Sequence, residues 1–270
     1  MRYYGSDPER EWRRLETLDT GLIEFELTTR RLAKNLEPGS RVLDIGGGPG
    51  RYAIWLAENG HLVTLADLVP ELLAVARRRI ATAAVGSRVE EVVVADACNL
   101  MRWPEGSFDA ALCLGPFYHL PEAERREQAA RELARVIRPG GLAFVAFMPR
   151  LNFLRRAIVI PEERHHLRNS EYVNRVLEHG AFYNDAAGRF DAGYGARPEE
   201  IGPFFASFGL EFVTLVAIEG FSPPAFRELL EIAETDRETY AAALDLLEQT
   251  ADEPSILGTA NHLLYIGRKR

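Results

Sequence analysis

A doubly wound α/β sheet is the fold class that this sequence predicts. Three observations point to it. Apolar residues alternate along the chain between strand-like and helix-like periods, with short connections between them. The first strands are apolar throughout, as strands covered on both faces should be. The stretch VLDIGGGPGRYAIWLA, from Val42 to Ala57, passes directly from an apolar strand through a glycine-rich turn into a helix.

Taken in order, the strands are expected at Arg41–Ile45, Leu62–Ala66, Val89–Ala95, Ala110–Leu114, Leu142–Phe147, Phe212–Ile218 and His262–Arg268. Helices are expected at Tyr52–Asn59, Pro70–Ala83, Pro121–Val136 and Pro198–Phe208, the last followed by Gly209 as a C-terminal cap. The 270 residues suit a single domain carrying three additions. The first is a helical cap over 1–36, in which Asp7 caps a helix that starts at Pro8 and Trp12, Leu15 and Leu18 form a buried face. The second is a polar and aromatic insertion over 149–197, read as a lid or substrate wall. The third is a helical insertion over 223–260.

Composition narrows the function. The net charge is -8, from 32 basic and 40 acidic side chains, which argues against a basic footprint for nucleic acid. Two cysteines, Cys98 and Cys113, can form neither a disulfide scaffold nor a metal-ligand pattern, and they suit a reducing compartment, the cytoplasm. The charged start MRYYGSDPEREWRR is not a signal peptide, and no apolar stretch is long enough to span a membrane. His165 and His166 are adjacent and so diverge on a helix, which leaves no metal site expected.

Four glycines and a carboxylate between Asp44 and Tyr52 imply something lying against the backbone, because glycine clusters are entropically costly. A dinucleotide loop is disfavoured: counting from Gly46 puts Arg51 at the third glycine, and counting from Gly47 puts Pro49 at the second. A P-loop is disfavoured because no Gly-Lys-Ser/Thr follows. The pattern present is Asp-x-Gly-x-Gly-x-Gly, at Asp44, Gly46, Gly48 and Gly50, with Gly47 inside it.

This pattern resembles the first motif of the class I S-adenosylmethionine-dependent methyltransferases of small-molecule type. The resemblance continues through LVTLADLVPELLAVAR, VEEVVVADACNL, FDAALCLGPFYHL and LARVIRPGGLAFVAF, over roughly Arg41–Phe147, and again in HLLYIGRK. It implies strand order 3-2-1-4-5-7-6 with the last strand antiparallel. It also implies S-adenosylmethionine as cofactor and S-adenosylhomocysteine as its product. Asp44 would hold the amino end, Asp67 the ribose hydroxyls, and Leu68 the adenine face. Asp96 and Ala97 would lie at the adenine edge, and Leu114 beside the cofactor. Tyr4, in an N-terminal segment similar to those that close over the cofactor, would reach the sulfonium or the carboxylate.

The acceptor is expected to be a small molecule methylated on O, N or C. His119, just past the fourth strand, is the candidate general base or orienting group, with packing against the cofactor as the competing reading. Phe117 and Tyr118 are candidates to line the acceptor pocket, and Arg155 to meet an anionic acceptor. Core packing serves equally well for Phe117. Two alternatives stand beside this reading. One is a regulatory module that binds the cofactor with reduced turnover; the other is a methyltransferase acting on RNA or protein. The loop Leu114-Gly115-Pro116-Phe117 lacks the Asn/Asp-Pro-Pro-aromatic pattern of enzymes that N-methylate nucleic acids.

Overall fold

The computed structural model describes residues 7–15, 20–183 and 191–270. A seven-strand sheet organises the chain: β1 (Arg41–Ile45), β2 (Leu62–Asp67), β3 (Val89–Val94), β4 (Phe108–Cys113), β5 (Ile137–Pro149), β8 (Leu210–Ala217) and β9 (Leu263–Lys269). Their spatial order is β3-β2-β1-β4-β5-β9-β8. The first five are parallel, and β9 runs antiparallel to both β5 and β8. In strand count without the insertion this is the expected 3-2-1-4-5-7-6, with the last strand reversed.

The physical basis is visible in β1. Val42 faces one core cluster with Val63, Leu112 and Phe144, while Leu43 and Ile45 face a second with Ala66, Cys113 and Val145. Both faces are therefore buried, and alternation along the strand separates two apolar layers rather than core from solvent. Burial of a side chain such as Leu65, with no exposed surface, is worth about 1.5–3 kcal/mol.

Helices cover both faces. The cap contributes α1 (Pro8–Arg14) and α2 (Thr20–Asn35). Asp7 accepts from the Arg10 backbone N–H, with Pro8 opening α1. Trp12 and Leu15 are buried, whereas Leu18 lies outside the described residues. After β1 come α3 (Arg51–Glu58), α4 (Pro70–Thr82) and, beyond β4, α5 (Ala123–Val136).

The 149–197 insertion departs from the sequence reading. It carries α6 (Arg150–Val159), α7 (Ser170–His179) and two short strands that the pattern did not announce, β6 (Ala181–Tyr183) and β7 (Ala192–Ala196). β5 is also longer than expected. Its far end pairs with β7, Met148 against Gly195 and Pro149 against Ala196. Arg150 holds this junction: it donates to the Gly195, Leu177 and Glu178 carbonyls and pairs with Glu200 at 2.8 Å. The insertion has its own small core of Met148, Phe153, Tyr172, Val176 and Phe182.

Then follow α8 (Pro198–Ala206), α9 (Phe226–Thr235), α10 (Arg237–Gln249) and α11 (Pro254–Leu257). α10 fastens the cap from outside, through Arg30 to Asp245 at 2.6 Å and Lys34 to Glu248 at 2.7 Å. No described helix is long and apolar enough to cross a membrane.

Candidate functional site

The site grows from the turn after β1. The Gly46 and Gly47 amides both donate to the Ala66 carbonyl, at 2.7 and 3.2 Å, tying the loop to the end of β2. Gly47 has no space for a side chain: a Cβ there would stand 2.5 Å from both Asp44 Cγ and Leu65 Cδ1. Gly50, at φ +83°, turns the chain into α3 in a left-handed conformation that glycine adopts without strain.

This packing leaves Asp44 with 1% exposure and its Oδ2 atom with no hydrogen-bond partner among the described residues. Burial, reinforced by the nearby Asp67 charge, pushes the Asp44 carboxyl up to about 7. An orphaned buried acceptor costs about 1–3 kcal/mol, so the site calls for a donor or cation at this point. The ammonium of a bound amino acid moiety fits that requirement.

Asp67 ends β2. Its Oδ2 accepts from the Gly48 N–H and its Oδ1 from the Val69 N–H, both at 2.8 Å. Burial raises its pKa despite these bonds. Leu68, beside it, is 36% exposed, and its apolar surface is open to a flat ring. Asp96 accepts from the Cys98 N–H at 2.9 Å and pairs with Arg125 at 3.0 Å, so its carboxylate is already oriented.

Asp44, Gly46, Gly47, Gly48, Asp67, Leu68, Asp96, Ala97, Leu114, Tyr118 and His119 line one cavity of about 350 Å³. Desolvation pushes the His119 imidazole down to about 4. Tyr118 packs against it with ring centroids 4.8 Å apart and donates its hydroxyl to the Leu114 carbonyl at 3.1 Å.

Phe117, Arg155 and Gly50 are not among the cavity-lining residues. Phe117 is fully buried, packed on Phe147 and Phe205 at 5.5 and 5.3 Å, so it belongs to the core and not to the acceptor wall. Its neighbour Tyr118 points to the cavity because a short 3-10 turn over Pro116–His119 sends successive side chains to different sides. Arg155 is not part of the lining. It donates to the Thr259 carbonyl at 2.7 Å, to Asn152 and to Asn261, clamping α6 to the segment before β9. Tyr4 lies outside the described residues. Gly50 shapes the loop from beneath, against Leu65 and Ala76, and does not line the cavity. His166, considered for a metal, is buried and stacks on Tyr172 at 4.2 Å.

Other lining residues were not singled out from the sequence. Glu11, Arg14 and Glu24 come from the cap, and Asp191 and Ala192 from the insertion. Arg14 pairs with Glu24 at 2.6 Å and with Glu11 at 3.1 Å. Glu24 stands 3.8 Å from His262 Nδ1, which in turn meets Glu219 at 2.7 Å. Among the described residues, Glu24, Glu219 and His262 are the one grouping that brings three potential ligand atoms within 4.8 Å of one another. These groups are bonded among themselves and to Arg14, as an ion-pair network would be. The one sequence signal for them was topological: Glu219 follows a strand's carboxyl end and His262 precedes the antiparallel strand beside it.

Comparison with known proteins follows the same lines. A family model described as a methyltransferase domain matches residues 43–145. The chain is 37% identical over 124 residues to the methyltransferase GfsG of Streptomyces halstedii, covering 45% of this chain and 43% of that protein. It is 35% identical over 140 residues to the probable tRNA methyltransferase 9B of Mus musculus, covering 50% of this chain and 28% of that protein. It is 32% identical over 148 residues to a ubiquinone biosynthesis O-methyltransferase of Xanthomonas campestris, covering 54% and 55%. The chain thus spans about half, or less, of the curated relatives that it matches. A crystal structure of a SAM-dependent methyltransferase from Methanosarcina mazei shares the fold at 18% identity and TM-score 0.59, covering 88% of this chain and 96% of that one.

Proposed function

We propose that this chain, which belongs to the class I S-adenosylmethionine-dependent methyltransferases, moves a methyl group from S-adenosylmethionine to an O, N or C atom of a small-molecule acceptor. One observation carries the reading. The buried Asp44 Oδ2, without a hydrogen-bond partner among the described residues, lies against the glycine loop, in the same cavity as Asp67, Asp96, Tyr118 and His119.

In this reading Asp44 holds the cofactor's ammonium. Asp67 accepts from the ribose hydroxyls with the lone pairs that Gly48 and Val69 leave free. Leu68 and Ala97 flank the adenine, Asp96 meets its edge, and Leu114 backs the methyl-bearing side. Gly46, Gly47 and Gly48 let the backbone approach. When bound, the cofactor supplies a methyl carbon already activated by a sulfonium. The protein's work is then to align the acceptor, exclude water and remove a proton where one must leave. Tyr118 and His119 form the acceptor-facing wall. His119, neutral above pH about 4, meets the acceptor as a hydrogen-bond partner that orients it.

A small-molecule acceptor suits a cavity covered by the cap and the insertion. Of the lining side chains six are carboxylates (Glu11, Glu24, Asp44, Asp67, Asp96, Asp191) and three are arginines (Arg14, Arg51, Arg125). The ubiquinone-pathway relative, named for O-methylation, supports the same reading. The relative named as a probable tRNA methyltransferase favours a second reading, an RNA acceptor. The acidic lining and the net charge of -8 weigh against it. We read the 270 residues as one domain with a cap, a lid-like insertion and an outer helical insertion, and place it in the cytoplasm on its two free thiols.

The test is calorimetric titration of ligand-stripped protein with S-adenosylmethionine and, separately, with NAD. Micromolar binding of the first and none of the second is expected; the reverse would overturn the assignment. Once an acceptor is found, His119→Ala should lower turnover more than cofactor affinity. Equal losses in both would assign His119 to packing.

A further inference from the structure

The antiparallel course of β9 has a chemical result. It brings residue 262 to the end of the sheet where the parallel strands stop, beside the loop after β4. There Glu219, with no exposed surface, uses both carboxylate oxygens on one residue. Its Oε2 accepts from the His262 backbone N–H at 3.1 Å, and its Oε1 meets ring Nδ1 at 2.7 Å. The Ile218 N–H donates to the His262 carbonyl at 2.9 Å, which fixes the backbone as well. Ring and main chain are both held, and Nε2 is the ring atom directed away from Glu219. Among the described residues no hydrogen bond to Nε2 is found.

The imidazole is not itself among the cavity-lining residues, but it adjoins two that are. Its ring lies 6.5 Å from that of Tyr118, and its side chain is 22% exposed. Tyr118 and Glu24, both cavity-lining, are these neighbours, with Glu24 3.8 Å from Nδ1. A carboxylate that orients an imidazole beside a substrate cavity is the arrangement of a base with its orienting acid.

We propose that His262, positioned by Glu219, accepts the proton that the acceptor loses on methylation, and that the acceptor is therefore a protic O–H or N–H compound. The inference rests on the methyl-transfer reading above and names a residue and a substrate class within it. The acceptor's lone pair forms the bond to the methyl carbon. The carbon–sulfur bond breaks, its electron pair stays on sulfur, and a neutral thioether results. The acceptor's proton passes to Nε2, and the imidazolium is held against Glu219 until it gives the proton to water.

The electrostatics agree. Burial opposes a charge on His262, but Glu24 on α2 and Glu219 after β8 outweigh it, with Arg14 on α1 acting against them. The net result is a ring pushed above its ordinary value. Tyr118, the ring facing it from the β4 loop, has its own pKa raised by burial and stays neutral. His119, by contrast, is pushed down to about 4. Of the two rings, the one whose affinity for a proton is raised is the better proton acceptor.

The test compares wild type with His262→Asn and Glu219→Gln. S-adenosylhomocysteine release is followed with catechol, phenol and a primary aliphatic amine as probe acceptors. His262→Asn should lower kcat at least 100-fold, leave the S-adenosylmethionine Kd within twofold and remove the acid limb of the pH–rate profile. Glu219→Gln should shift that limb to lower pH. An unchanged rate and profile in His262→Asn would overturn the proposal. A second measurement needs no acceptor. Imidazole NMR of the S-adenosylhomocysteine complex should show His262 titrating above the usual histidine range, and lower in Glu219→Gln. A ring already neutral at pH 6, or one that binds added Mg²⁺ or Zn²⁺ together with Glu24 and Glu219, would overturn it too. Failure of the broader reading looks different, because the wild type then does not bind S-adenosylmethionine at all.

Discussion

Asp44 is a carboxyl whose folded pKa, about 7, lies above its ordinary value of 3.8. Folding therefore favours its protonated form. The stability linked to this group is fully present below pH about 4 and is lost as pH rises through about 7. Thermal melts of the cofactor-free protein across that window should fall with pH, and Asp44→Asn should flatten this component. Binding an ammonium at Asp44 should also release a proton near neutrality, seen as a buffer-dependent binding enthalpy. Asp67 makes the complementary case. Asp67→Ala leaves the Gly48 and Val69 amides without their acceptor, at about 1–3 kcal/mol for each buried group, and removes the partner proposed for the ribose. Calorimetry should show S-adenosylmethionine affinity severely reduced; unchanged affinity would sink the assignment. These residues were legible in the sequence because their constraints are local. Asp44 and Gly47 are three positions apart and compete for the same space. Arg14, Glu24, Glu219 and His262 were not, since each acquires its meaning from a partner on a distant element.

At the level of elements, the parallel strands and their helices followed from continuous apolar runs and helical periods, and their centres agree with the sequence reading. β6 and β7 escaped it for a physical reason. AFY and AGYGA are short, rich in alanine and glycine, and lack the β-branched alternation that signals a strand. They exist because β5 overshoots its usual end and offers a free edge, and because Gly193 can pass where a Cβ would stand 2.7 Å from the Tyr118 carbonyl. Phe117 was ambiguous for a related reason. Adjacent residues of one turn face opposite ways, and sequence alone does not say which of the pair meets the cavity. The insertion depends on Arg150, which is 6% exposed and joins β7, α7 and Glu200. Arg150→Ala leaves the buried Gly195 carbonyl and the part-buried Leu177 and Glu178 carbonyls without their donor and should cost about 1–3 kcal/mol. Denaturant unfolding would measure that loss. Amide exchange should localise the opening to 150–197, and exchange spread evenly over the sheet would contradict it.

Over the whole molecule, the cavity is closed by two separated parts of the chain, the cap and the insertion. A ligand that binds only this assembled form stabilises it by mass action. At a cofactor concentration 100 times Kd the gain is about 2.7 kcal/mol. For a chain of this size that corresponds to a rise in Tm of roughly 5–10 °C. Scanning calorimetry with S-adenosylmethionine should show the rise, and NAD at the same concentration should not. The position of β9 carries a further consequence. It lies between β5 and β8, and β8 has no other strand partner among the described residues. A ribosome making this chain releases β5 and β8 well before the strand that joins them. Until residues 263–269 emerge, the nascent sheet keeps two unpaired edges, exposed to the cell's chaperones. Closure of the sheet and arrival of His262 are then one late event, so a stalled or clipped product lacks both its last strand and the residue proposed to take the proton.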